Sequence, residues 1–214
     1  MSLTETQSQQ IQSSTAAIGS AAAEEDVPRI AVLIGSTRPG RSGPAVARWF
    51  LGEAERGGAV QPVLVDLADA DLPSALVSGA QVSRGVRELR ARLADADGFV
   101  VITPEYNHSF PAALKQAIDL TGKEWQAKPV AFVSYGGRSG GLRAVEQLRQ
   151  IYPEMHATTI RETVTFHGIW DYLGADGELR ADKEQTAAAH LLIDQLAWWA
   201  HTLRAGRVSR PYAG

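Results

Sequence analysis

Five short, β-branched apolar runs separated by stretches of helical periodicity predict an α/β protein on one doubly wound parallel sheet. The three loops expected after the first, third and fourth strands are rich in Gly, Pro and hydrogen-bonding side chains, where such sheets bind ligands. The length, 214 residues, suits one such domain. Hydrophobic residues make up 44% and charged residues 21%, the balance of a soluble globular chain rather than an unfolded one.

The first strand is expected over Arg29 to Ile34, an unbroken apolar run after its first residue. Ser42 to Arg56 has helical spacing and places Val46, Trp49 and Phe50 on one side. A second strand follows from Val60 to Asp66, then a helix from Val82 to Ala94. The third strand, Gly98 to Ile102, is almost wholly apolar, and the helix Phe110 to Leu120 has Pro111 suited to its first turn. Pro129 to Ser134 is a fourth strand and Gly140 to Ile151 a helix. Ala157 to Phe166 alternates as a fifth strand, and Ala181 to Arg204 closes the chain as a long helix with Leu191, Leu192, Leu196 and Trp199 at helical spacing. Trp198 and Trp199 are assigned to core or interface packing, where large aromatics belong. Right-handed crossovers restrict the topologies that this alternation allows.

The ends differ in composition from this pattern. Residues 1–28 are expected to be a disordered tail: residues 1–26 are rich in Ser, Thr, Gln, Ala and Glu, and hold four acidic and no basic residues. Residues 29–204 form the predicted domain, and Ala205 to Gly214 are expected to be an extended tail. Without the first 26 residues the chain has 21 basic and 20 acidic groups, a near-neutral balance that argues against nucleic acid as a partner. No apolar run approaches the roughly 18–20 residues of a membrane span, and no basic, apolar leader opens the chain. There is no cysteine, which excludes disulfides, zinc–thiolate sites, iron–sulfur clusters and a cysteine nucleophile. A cytoplasmic location is the expectation.

The informative residues lie in three loops. The first, Gly35 to Gly43, joins the first strand to the first helix; its small residues free backbone N–H groups, a helix N-terminus follows, and Arg38 and Arg41 add charge. This is a phosphate cradle, although neither a Gly-Lys-Ser/Thr ending nor a Gly-x-Gly-x-x-Gly fingerprint is present. The second, Thr103 to Pro111, combines proline stiffening, an aromatic ring and hydrogen-bonding groups, which suits a planar heteroaromatic ligand; alternatively Asn107 or Ser109 caps the next helix. The third, Ser134 to Gly141, has four glycines in eight residues and exposes main chain to a ligand edge. Positions 35–43 hold no carboxylate, which disfavours a phosphate-ester hydrolase.

Gly-Ser-Thr-Arg-Pro-Gly-Arg at 35–41, Thr-Pro-Glu-Tyr-Asn at 103–107 and Ser-Tyr-Gly-Gly-Arg-Ser-Gly-Gly at 134–141 together resemble the NAD(P)H-dependent FMN reductases, a flavodoxin-like family that includes quinone, azo-dye and chromate reductases. The run Leu114 to Asp119 fits the same family. The resemblance covers about residues 29–204. It implies a sheet order 2-1-3-4-5 with helices on both faces. It also implies that Ser36, Arg38, Arg41 and Ser42 hold the FMN 5′-phosphate, although many relatives carry Ser at position 41. Pro104, Glu105, Tyr106 and Asn107 would follow the isoalloxazine and ribityl chain, with an N–H from the Tyr106 region near N5. Ser134, Tyr135, Gly136 and Gly137 would meet the pyrimidine edge or the ribityl side.

The chemistry implied is NAD(P)H oxidation through bound FMN with a small acceptor (quinone, flavin, azo dye or metal oxyanion) in a ping-pong sequence, with no catalytic protein residue and no metal. His108 is a minority candidate for giving a proton to a quinone, and Glu105 reads as structural rather than as an acid or base. Arg38, Arg41, Arg138 and Arg143 suggest NADPH over NADH by charge. A homodimer or homotetramer is implied by the family, and the aromatic segment His167 to Tyr172 either packs at an interface or covers the flavin. The competing readings are an FMN electron carrier of the flavodoxin type, disfavoured by the near-neutral charge and the two loop arginines, and a binding module that has lost the flavin, disfavoured by the intact second loop.

Overall fold

The computed structural model describes residues 27–73, 75 and 82–214. The expected tail over residues 1–28 therefore falls almost wholly outside the described residues. β1 (Arg29–Ile34), β2 (Gln61–Asp66), β3 (Gly98–Pro104), β4 (Pro129–Gly136) and β5 (Thr158–His167) form one five-stranded sheet. Its order is β2-β1-β3-β4-β5 and every pairing is parallel. Among the described residues the α-helices are α1 (Gly43–Gly57), α2 (Arg84–Ala94), α3 (Ala112–Asp119), α4 (Leu142–Ile151) and α5 (Lys183–Ser209).

Strand side chains alternate between two apolar layers, as the period of two requires. Ile30, Val32 and Ile34 of β1 face α1 and α5, where Val46, Phe50, Leu192 and Leu196 complete one core. Ala31 and Leu33 face the other way, toward Leu89 and Leu93 of α2, Leu114 and Ile118 of α3 and Leu148 of α4. Burial on both faces is why β1, β3 and β4 read as continuous apolar runs. In the second core Trp125 is fully buried between Phe99 and Tyr152, and its Nε1 donates to Thr121 Oγ1 at 2.6 Å. In the first, the buried Glu53 carboxylate of α1 meets His190 of α5 at 3.0 Å and ties the two helices together.

The boundaries move where tertiary contacts outweigh local pattern. β3 and β4 each run two residues past their expected ends, because Thr103 pairs with Ser134 and Pro104 with Tyr135. α4 begins at Leu142 rather than Gly140: Gly140 and Gly141 have φ of 63° and 93° and form the turn that precedes the helix. α3 begins after Pro111, which occupies the cap position and offers no side-chain cap, so neither Asn107 nor Ser109 caps it. α5 continues five residues beyond Arg204, which corrects the expectation of an extended tail from 205. Arg207 holds the last turns by donating to Ala127 O at 2.7 Å and to Asp97 Oδ1 at 3.1 Å. β5 carries a bulge opposite Val130 to Phe132, and Arg149 of α4 spans it by donating to the carbonyls of Ile160 and Arg161.

Trp125→Ala should remove the centre of the second core and cost about 3–5 kcal/mol, the range for deleting a large buried aromatic. Urea denaturation checks this; a loss below about 1 kcal/mol would mean that the layer repacks around the cavity.

Candidate functional site

The parallel sheet sets all five carboxyl ends along one edge. Strand order reverses between β1 and β3, which opens a crevice there. The loops after β1, β3 and β4 meet at this edge. Ser36 is fully buried, and its Oγ lies 2.7 Å from the Tyr106 hydroxyl, which joins the first loop to the second. The Glu105 N–H donates to Tyr135 O at 3.1 Å, which joins the second loop to the end of β4. Three segments far apart in sequence are thereby fixed to one another.

The first loop presents main-chain donors. Among the described residues the N–H groups of Thr37, Gly40 and Ser42 meet no acceptor, and the loop leads into the N-terminus of α1, whose Ser42 makes no side-chain cap. Arg38 is exposed and its guanidinium has no partner among the described residues. Arg41 is held differently. Its guanidinium is turned onto the Asp66 carboxylate at the end of β2, 2.5 Å away, and its Nε is buried without a partner among the described residues. An arginine already paired to a carboxylate adds little charge to a neighbouring anion, so Arg38 rather than Arg41 is the free cation at this loop.

The second loop is a tight turn. Tyr106 and Ser109 exchange N–H···O bonds of 2.8 and 3.0 Å, with Asn107 and His108 between them at φ of 49° and 75°. Positive φ at both central residues is the pattern of a primed turn, which Asn tolerates well and His less so. The Tyr106 N–H is used inside this turn. The amides of Asn107 and His108 have no acceptor among the described residues and are the donors left facing outward. Gln147 of α4 pins the turn from below, by donating to His108 O at 2.8 Å and bonding Ser109 Oγ at 2.6 Å.

Glu105 binds the second loop to the third. Its side chain is nearly buried, yet Arg143 Nη1 approaches to 3.0 Å and the Arg143 N–H, in the first turn of α4, donates at 3.2 Å. Burial alone would raise its pKa; hydrogen bonds from Ser139 and Arg143 and the Arg143 charge outweigh burial and hold it below the usual carboxylate range. A carboxylate kept ionised at a helix N-terminus is a structural anchor, not a proton donor.

The third loop is shaped by close approach. A Cβ on Gly141 would lie 2.7 Å from Ser134 Cβ, and one on Gly140 2.5 Å from Thr165 Cγ2. The Gly137 carbonyl accepts from Gly140 and Gly168, and its N–H meets no acceptor among the described residues. Ser134 Oγ lies 3.3 Å from Thr165 Oγ1, inside the sheet edge. The Tyr135 hydroxyl is buried against Gly43 at the start of α1, and burial pushes its pKa up. The segment His167 to Tyr172 borders this loop as a short 3₁₀ turn. Tyr172 packs on Phe166, and the Trp170 ring stands over Gly137 while remaining mostly exposed.

The residues expected to hold the cofactor therefore lie together at one sheet edge, Pro104, Ser134, Tyr135 and Gly136 at the ends of β3 and β4 and the others in the adjoining loops, but they do not present themselves alike. Arg38, Asn107 and Gly137 offer open donors, whereas Ser36, Arg41, Glu105 and Ser134 are engaged in holding the loops. The pairing of Asp66 with Arg41 is not readable from the sequence: the two lie 25 positions apart, and no local signal predicts it.

Glu105→Gln keeps the shape and removes the charge. It should cost about 1–1.5 kcal/mol at pH 7, at or below the low end for hydrogen bonds to a charged group because Arg143 is half-exposed and screened. The folded-state pKa is depressed, so the wild-type advantage is complete above the ordinary glutamate value of about 4.3 and fades as pH falls through the lower folded value. Urea titrations of both proteins should show that narrowing; equal stability at pH 7 would contradict the anchor.

A family model described as NADPH-dependent FMN reductase matches residues 28–171. An NAD(P)H-dependent FMN reductase of Schizosaccharomyces pombe is 35% identical over 159 residues, covering 67% of this chain and 79% of the relative. A quinone reductase of Escherichia coli is 33% identical over 147 residues, covering 66% of this chain and 78% of the relative. Among solved structures, the flavoenzyme FerB of Paracoccus denitrificans, an NAD(P)H:(acceptor) oxidoreductase, superposes with a TM-score of 0.64 at 24% identity, covering 82% of this chain and 98% of that one. With its β2-β1-β3-β4-β5 sheet and its three loops at the carboxyl edge, the chain belongs to the family of NADPH-dependent FMN reductases, flavoproteins of flavodoxin-like fold.

Proposed function

We propose that the three joined loops hold FMN and that the chain, as a cytoplasmic homo-oligomer, uses NADPH to reduce small acceptors: quinones, free flavins, azo dyes or metal oxyanions. The observation that carries this reading is the set of open donors at one sheet edge, contributed by Arg38 and the Thr37, Gly40 and Ser42 amides on the first loop, Asn107 and His108 on the second, and Gly137 on the third. FMN supplies acceptance of a hydride from the nicotinamide and delivery of its two electrons to a second substrate.

The protein groups then have separate tasks. The first-loop amides, the α1 N-terminus and Arg38 bind the phosphate. The Asn107 and His108 amides orient the ring near N5. The Gly137 N–H favours negative charge at the pyrimidine edge by a dipole already in place. Arg41, locked to Asp66, and Glu105, locked to Arg143, keep the loops in register. Of the four arginines expected to favour a 2′-phosphate, Arg143 is paired with Glu105 and Arg41 with Asp66, so Arg138 is the one left for NADPH once Arg38 serves FMN. Both substrates use the same opening in turn, which gives ping-pong kinetics.

Arg38→Ala should weaken FMN binding by about 1.5–3 kcal/mol, roughly ten- to 150-fold. Fluorescence titration of the apoprotein checks it, and unchanged affinity in a folded variant would remove the phosphate assignment. In anaerobic spectra of the FMN-loaded protein, NADPH should bleach the visible flavin absorption faster than NADH. Flavin that neither nucleotide reduces would make the chain an electron carrier instead.

A further inference from the structure

The third loop has a wall beside it. Ile169–Tyr172 follow β5 as a 3₁₀ turn, and this turn is fixed on both sides. The Gly168 N–H donates to Gly137 O at 2.9 Å, Ile169 is buried in the core, and Tyr172 packs edge-on against Phe166 at 5.2 Å. Between these anchors Trp170 points outward and is 64% exposed. The tip of its ring stands over Gly137, where a Cβ would lie 3.3 Å from Trp170 Cη2. A single exposed apolar residue is ordinary on a protein surface. This one rests on Gly137, whose N–H meets no acceptor among the described residues. The next residue, Arg138, is exposed and its guanidinium has no partner among the described residues. Its carbonyl is tied to the same wall, 3.0 Å from His167 Nδ1. An aromatic face suits a nucleic-acid base, and an arginine suits a phosphate.

We propose that Trp170 and Arg138 receive the adenosine half of the reducing dinucleotide, with adenine stacked on the open face of Trp170 and the 2′-phosphate on Arg138. This rests on the reading of the three loops as an FMN site reduced by NADPH. The nicotinamide has to lie against the flavin, and the adenosine is joined to it through a pyrophosphate, so the adenosine lands beyond the flavin's rim. The turn after β5 continues that rim, because Gly168 is bonded to Gly137. A neutral quinone has no group for Arg138, whereas the dinucleotide carries both a flat base and an anion. The bare backbone of Gly137 lets the ring come this close, since a side chain there would crowd Trp170. A ring whose turn is already fixed loses little freedom when a base stacks on it.

Calorimetry on the FMN-loaded full chain with adenosine 2′,5′-bisphosphate, which cannot reduce flavin, tests the site. Trp170→Ala should weaken its binding at least fivefold, the lower end for removing one base-stacking ring, and Trp170→Phe should recover most of the loss. Arg138→Gln should weaken adenosine 2′,5′-bisphosphate about tenfold and adenosine 5′-monophosphate far less. Stopped-flow reduction gives a second readout. Trp170→Ala should cut at least fivefold the advantage of NADPH over reduced nicotinamide mononucleotide, which lacks the adenosine. A Trp170→Ala chain that binds adenosine 2′,5′-bisphosphate as the wild type does overturns the site, while reduction of its flavin by NADPH leaves the proposed function standing. Loss of FMN affinity in that variant would make Trp170 a cover for the flavin. A slowed acceptor step with normal nucleotide binding would make it a platform for the acceptor. Either result overturns the assignment. A wild-type chain whose flavin NADPH does not reduce removes the proposed function and this site with it.

Discussion

The site depends on a buried carboxylate. Glu105 sits where β3, β4 and the start of α4 converge, and it can stay ionised there because Ser139 and Arg143 satisfy it. Parallel strands bring their carboxyl ends to one edge, but they do not say how the loops beyond that edge are arranged. Glu105 supplies that: its backbone reaches β4 and its side chain reaches α4, so the second and third loops move as one piece. The Ser36–Tyr106 hydroxyl contact brings the first loop into the same unit.

This arrangement separates residues that hold the loops from residues that face outward. Arginines show the division most clearly. Arg41 and Arg143 are spent on Asp66 and Glu105, while Arg38 and Arg138 are exposed. The main chain divides in the same way: the Tyr106 amide closes its turn, and the two amides after it do not. A ligand at this edge would meet donors already oriented, with little left to reorganise on binding.

Much of the fold was legible in the sequence because both sheet faces are covered. Residues such as Val32, Leu33, Val100 and Val101 have nowhere polar to point, so their strands read as unbroken apolar runs. The three loops were legible from Gly, Pro and the Thr-Pro-Glu-Tyr-Asn run. What sequence could not give were pairings across long separations. Asp66 with Arg41 and Glu105 with Arg143 are 25 and 38 positions apart, and no periodicity encodes them. Left-handed His108 and the displaced start of α4 depend on neighbours in space, Gln147 and the β5 edge. The outward face of α5 was hidden too, because Leu191 and Leu192 read alike until the sheet chooses between them.

Hydrogen–deuterium exchange of the apoprotein with and without FMN tests most directly whether the three loops form one binding unit, because each loop contributes amides that lack an acceptor among the described residues. FMN should slow exchange together across residues 36–42, 105–109 and 135–141, while the outer face of α5 is unaffected. Protection of only one loop, or protection centred elsewhere on the sheet, would contradict it.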